Sequence, residues 1–114
     1  MTEKQFAAAL KPELDDAGYG FDPTMIITLL TLLMPIIQNL PCFKKSKKVV
    51  AANIDSEFRD CCKKKRGRCP LKARRAMKDK LDMTDKDEQD DVWACVCKVA
   101  FANRDAVAAK LVAA

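Results

Sequence analysis

The chain contains an uncharged stretch of 21 residues, Pro23 to Phe43, and its charges are divided around that stretch. Residues 1–43 carry two Lys against five acidic residues, a net charge of −3. Residues 44–80 carry fifteen Lys and Arg against four acidic residues, a net charge of +11, and residues 81–114 return to −3. Any fold must therefore accommodate one apolar segment, one strongly basic segment and two acidic segments.

The composition predicts a helical fold. The 114 residues are enough for one domain with one modest core. There are only three Gly, and Val and Ile do not alternate with polar residues as they do in strands. We therefore predict an all-α protein, a small bundle of four to five helices around a central apolar helix at about residues 23–40, bent by Pro35.

Residues 1–114 are predicted to form a single helical domain. It divides into an acidic part (1–22), an apolar helix (23–43), a basic part (44–80) and an acidic amphipathic helix (81–114). Thr2 and Gln5 form a capping box for a first helix at about 3–16, in which Pro12 should cause a kink or a split. Asp22 and Pro23 mark the start of the second helix.

Three further helices follow from start signals and apolar spacing. A third helix is predicted at about 46–64. A fourth should follow Pro70 to about Leu81 and be buried through Leu71, Met77 and Leu81. A fifth should begin near Thr84, with an interruption at Asn103. Its buried face is predicted to comprise Trp93, Val96, Ala100, Val107 and Leu111.

The second helix is apolar around most of its circumference. Its polar members share one narrow stripe, which comprises Thr24, Thr28, Thr31, Pro35, Gln38 and Cys42. The remaining face could be the core of the domain, a contact with a protein partner or a second copy of the chain, or a membrane segment over 23–43. The candidate partner or assembly face is Ile26, Leu29, Leu30, Leu33, Ile37 and Leu40.

The basic part is a candidate polyanion-binding region. Dense Lys and Arg attract the phosphates of nucleic acid or anionic lipid, here through residues 44–75. The alternative is a solvated face that the acidic segment 82–91 neutralises. The few aromatic residues nearby favour non-specific contact with the phosphate backbone. The candidate residues are Lys44, Lys45, Lys47, Lys48, Lys63, Lys64, Lys65, Arg66, Arg68, Lys72, Arg74 and Arg75.

Catalytic and metal chemistry have little support in the sequence. The chain has no His, which removes the commonest general base and a common metal ligand. The six cysteines contain no CxxC pair, and Cys95 and Cys97 point to different sides of one helix. We therefore predict no enzymatic activity, no metal, no cofactor, and thiols that serve in packing.

These features favour a non-enzymatic structural or assembly protein, such as a virion or phage component. It would dock through the apolar helix and contact a polyanion or an acidic partner through the basic segment. The alternatives are a membrane-inserted protein of the holin or small-anchor type, using 23–43, and a non-specific nucleic-acid-binding protein. The N-terminal residues do not form a signal peptide, so we expect an intracellular or virion location, with membrane association as the alternative.

Overall fold

The computed structural model describes residues 2–38 and 69–113, and all regular structure within these ranges is helical. The five helices are α1 (Glu3–Asp16), α2 (Pro23–Gln38), α3 (Leu71–Leu81), α4 (Lys86–Ala102) and α5 (Arg104–Ala113). The predicted all-α bundle is therefore confirmed. The helix predicted at about 46–64 lies outside the described residues.

Helix α1 begins as the sequence predicts. The Thr2 hydroxyl accepts a hydrogen bond from the Gln5 backbone N–H, and the Gln5 side chain accepts one from the Thr2 N–H. Of the predicted kink or split at Pro12, the split is wrong, because α1 continues through Pro12 to Asp16. Pro12 and Ala8 are both exposed, so the Ala8 carbonyl that loses its helical partner can bond to water.

Helix α2 also follows its predicted start. The Asp22 carboxylate accepts a hydrogen bond from the Met25 N–H at 2.8 Å, and the helix continues through Pro35 to Gln38. The described part of the predicted polar stripe, Thr24, Thr28, Thr31 and Pro35, is exposed. Thr28 and Thr31 donate their hydroxyl hydrogens to carbonyls one turn earlier. The apolar side of α2 therefore faces the interior.

Two helices, rather than one, supply most of the core. Helices α1 and α3 each pack against both α2 and α4, and α5 packs against α4. Of the possibilities that the sequence leaves open for the apolar face of α2, the structure shows the core, because Leu30, Leu33 and Ile37 are buried. Helix α4 contributes a set of similar size, which comprises Val92, Trp93, Val96, Cys97, Val99 and Ala100. Helix α2 is thus one of two principal helices and not a single centre.

Helix α3 is anchored by Met77, as predicted, and by Ala73, which was not predicted. Ala73 and Met77 are fully buried, whereas Leu71 is 71% exposed and Leu81 is half-buried. Ala73 and Met77 are four residues apart and share one side of the helix, while Leu71 lies about 200° around the helix from Ala73. The prediction for Leu71 is therefore wrong.

The last two helices match the sequence closely. Asp85, one residue after the predicted Thr84, caps α4 by accepting a hydrogen bond from the Asp87 N–H. Asn103 separates α4 from α5, as predicted. Among the predicted buried residues, Trp93, Val96, Ala100 and Val107 are in the core. The side chain of Leu111 lies outside the described part of the structure.

Candidate polyanion-binding surface

The outer side of α3 carries a stripe of basic residues. Lys72, Arg75 and Lys78 follow one another at intervals of three residues and are all exposed. We call these three residues the α3 stripe. Ala73 and Met77 hold the opposite side of the helix in the core. Within the described ranges, none of the three stripe residues forms an ion pair. The carboxylate nearest in sequence is that of Asp79, on the same helix.

Arg74, by contrast, is paired with helix α4. Its Nη2 lies 2.6 Å from Oδ1 of Asp90, and its Nη1 donates to Oε1 of Gln89 at 3.1 Å and to the Lys86 carbonyl at 3.5 Å. The same Asp90 oxygen accepts a hydrogen bond from the Cys69 N–H at 2.8 Å. We call Arg74, Asp90 and the Cys69 N–H the Asp90 clamp. It fixes the start of α3 against α4.

The Asp90 clamp shows how far acidic residues of the fold neutralise the basic region. The sequence left open whether the acidic segment 82–91 neutralises the basic region, and the pairing of Arg74 with Asp90 does so at one position. Arg74 is therefore occupied within the fold, although it was a candidate polyanion contact. Its neighbour Arg75 lies about 100° further around the helix and faces solvent.

Sequence reasoning missed one member of the surface. Lys78 was not among the candidates, which ended at Arg75. Its spacing of three residues from Arg75, and of six from Lys72, could have identified it, because such positions lie on one side of a helix. Lys72 and Arg75 are exposed, as a binding role requires. The nine candidates from Lys44 to Arg68 lie outside the described residues.

The predicted partner face of α2 lies inside the chain's own core. Ile26, Leu29, Leu30, Leu33 and Ile37 are each at most 4% exposed. A partner could reach them only by displacing α1 or α3, which pack on α2. Leu40 lies outside the described residues. Within residues 2–38 and 69–113, no helix has both the length and the apolar character needed to cross a membrane.

A second polar cluster joins the end of α1 to the middle of α4. The Tyr19 hydroxyl donates to Oδ2 of Asp91 at 2.9 Å, and Lys98 Nζ lies 2.8 Å from Oε2 of Glu13. Burial, together with the bond to Asp91, raises the pKa of Tyr19 to about 12. The bond to Glu13 raises the pKa of Lys98. These contacts connect α1, its following loop and α4.

Cys69 and Cys95 lie in surroundings that disfavour the thiolate. Burial raises the pKa of the Cys69 thiol to about 12, against the opposing effect of Arg74. Burial and the charge of Glu13 also raise the pKa of Cys95, whose thiol lies 3.7 Å from the Glu13 carbonyl. Thiols react as thiolates, so the raised pKa values reduce the reactive fraction of these two thiols at neutral pH. In the part of the chain that the structure covers, no three acidic or Cys side chains are placed to share a metal ion.

One small cavity lies between the ends of α1, α2 and α5. Its volume is about 20 Å³, which is enough for about one water molecule. Phe6, Leu30, Met34 and Val107 form most of its wall. The cavity holds none of the groups with a shifted pKa, so it does not resemble a catalytic cleft.

The chain matches no protein-family model, no curated protein and no solved structure.

Proposed function

We propose that the chain is a non-enzymatic structural or assembly protein, of the kind found in virus particles, that contacts a polyanion through its basic residues between 44 and 78. One observation carries the proposal. Of the five basic side chains on α3, only Arg74 has an acidic partner among the described residues, and the stripe of Lys72, Arg75 and Lys78 faces away from the core.

The energetics of the surface support this role. Adjacent like charges repel one another, and a compact protein that keeps them together loses stability through that repulsion. An external polyanion removes this repulsion. Its binding is also favoured by the entropy of the counterions that are released. The excess of positive charge in residues 44–80, a net of +11, makes such a partner favourable.

The position of α2 limits the alternatives. Five of the six residues predicted for docking lie in the core, namely Ile26, Leu29, Leu30, Leu33 and Ile37. The exposed side of α2 is formed by Thr24, Thr28, Thr31 and Pro35. A row of threonines provides no large apolar surface for a partner. The proposal therefore assigns α2 to stability and the basic residues to recognition.

A salt titration of the full chain tests the proposal. Binding to heparin and to duplex DNA should be measurable at low salt and fall steeply as salt rises. A variant with Gln at Lys63, Lys64, Lys65 and Arg66 should bind both polyanions more weakly. Its plot of log Kobs against log salt should also be less steep, by about 0.9 unit for each phosphate that the variant no longer neutralises.

The matched control removes the same number of charges elsewhere. Gln at Lys4, Lys11, Lys86 and Lys110 gives the same net charge, but these residues lie outside 44–78. This variant should keep the wild-type slope. If the wild-type protein binds neither heparin nor DNA at low salt, or if both variants lose the same amount of binding, the proposal is wrong.

A further inference from the structure

We propose that the α3 stripe, Lys72, Arg75 and Lys78, contacts the phosphate backbone of duplex nucleic acid without reading its sequence. This inference rests on the function proposed above and names both the surface and its partner. The three cations lie on one side of a helix, over a length of about 9 Å at 1.5 Å per residue. They can thus approach one phosphate backbone together.

The geometry of α3 favours nucleic acid over a lipid surface. A helix that lies on a membrane inserts a broad apolar face between the lipids. The apolar side of α3, Ala73 and Met77, is already buried against the bundle. On its outer side, the only large apolar side chain exposed in the described residues is Leu71. Phosphate contact with nucleic acid requires only the cations.

The composition of α3 favours a duplex over a single strand. Proteins that bind single strands stack the bases on aromatic side chains. Residues 71–81, LKARRAMKDKL, include no aromatic residue. The helix also presents no Asn or Gln to read the edges of bases, and its basic residues are suited to the backbone. Affinity should therefore depend on charge and salt rather than on sequence.

The Asp90 clamp makes the stripe a fixed surface. The start of α3 is held by the Cys69 N–H and by Arg74, both bonded to Asp90. At the other end, the N–H of Met83 donates to the Met77 carbonyl at 3.1 Å, which closes the last turn. Lys72 and Arg75 therefore extend from a positioned backbone. Arg74 supports the surface but does not belong to it.

Two exposed cations of α3 give a sharp test. In the full-length protein, Arg75→Gln should make the plot of log Kobs against log salt for duplex DNA less steep by about 0.9 unit, because the variant neutralises one phosphate fewer. Lys80→Gln removes the same charge from an exposed residue of the same helix, about 200° around it from Lys78, and should leave the plot unchanged. The triple change of Lys72, Arg75 and Lys78 to Gln should make the plot less steep by about 2.7 units.

The controls separate this inference from the proposed function. Circular dichroism and the fluorescence of Trp93 should show that the triple variant keeps its fold, since the stripe is exposed. AT-rich and GC-rich duplexes should bind alike. If the triple variant binds DNA as the wild type does while the variant at Lys63–Arg66 is impaired, the inference is wrong and the proposed function stands.

Lipid binding is a separate outcome. If the triple change weakens binding to phosphatidylglycerol vesicles and leaves binding to DNA unchanged, the partner of the stripe is a membrane and the inference is wrong. If the wild-type protein binds no polyanion at low salt, both the inference and the proposed function fail. If Lys80→Gln and Arg75→Gln reduce the steepness of the salt plot equally, total charge and not the stripe controls binding, and the inference is wrong.

Discussion

Helices α2 and α3 are held in the same bundle by different kinds of contact. Helix α2 has no charged residue and places six apolar side chains in the core. Helix α3 has five basic residues and places only Ala73 and Met77 there, and its start is fixed by the polar bonds of Asp90. The position of α2 therefore depends on apolar packing, whereas that of α3 depends on a few polar contacts. Substitutions in the two helices should differ accordingly.

The largest effect is expected at the centre of α2. Leu33 is fully buried, so Leu33→Ala should reduce the free energy of unfolding by about 2–5 kcal/mol, because buried apolar surface is removed and a cavity remains. Urea unfolding followed by the fluorescence of Trp93 measures the change. Thr28→Ala on the exposed side of α2 is the control and should change stability by less than about 0.5 kcal/mol. A similar reduction in both variants would contradict the comparison.

The clamp should give the next largest effect. Asp90→Asn leaves Arg74 without its ionic partner and weakens the bond to the Cys69 N–H, so stability should fall by about 1.5–3 kcal/mol. The same urea titration measures it, and the difference from the wild type should narrow in high salt. Asp79→Asn, at an exposed position of α3, should change stability by less than about 0.5 kcal/mol. If Asp90→Asn is as stable as Asp79→Asn, packing alone holds α3.

A smaller effect is expected where α3 ends. Asp82 adopts a left-handed conformation with φ 54°, which costs most residues other than Gly about 1–2 kcal/mol. Asp82→Gly should therefore raise the free energy of unfolding by up to about 1 kcal/mol. Asp82→Val should lower it, because a branched side chain fits this conformation poorly. Thermal unfolding measures the stability of both variants. If Asp82→Val is more stable than Asp82→Gly, the left-handed conformation does not limit stability at this position.

The smallest expected effect concerns Tyr19, and it is seen only at alkaline pH. Its folded pKa is about 12 against an ordinary value of 10.0, so folding favours the protonated phenol. That contribution is complete below pH 10 and is lost as the pH rises through 12. Tyr19→Phe cannot ionise, so its stability should decline less than that of the wild type between pH 10 and 12. Urea titrations at both pH values measure this, and parallel declines would refute it.

The sequence predicts the features of this fold that depend on neighbouring residues. The capping box of Thr2 and Gln5 and the cap at Asp22 involve groups within three residues of each other. The threonine stripe of α2 follows from helical spacing alone. Local spacing could also have assigned Lys78 to the α3 stripe and excluded Leu71 from the core, since both follow from angles around one helix.

Other features depend on contacts between distant residues. Arg74 and Arg75 are adjacent and chemically identical, and only the approach of Asp90 from α4 distinguishes them. The bond between Tyr19 and Asp91 joins residues 72 positions apart. Helix α4 also buries Val92, Cys97 and Val99, which the sequence did not predict. They are covered because α1 and α3 both pack on α4. A single sequence does not specify such pairs.

The burial of Ile37 and Cys69 has a consequence for multivalent binding. Both are 4% exposed and belong to one core, so the basic residues between them are tethered at both ends to the bundle that carries the α3 stripe. On the proposed function, a duplex bound by one group of cations would be present at high effective concentration for the other. The combined avidity should then exceed that of either group alone.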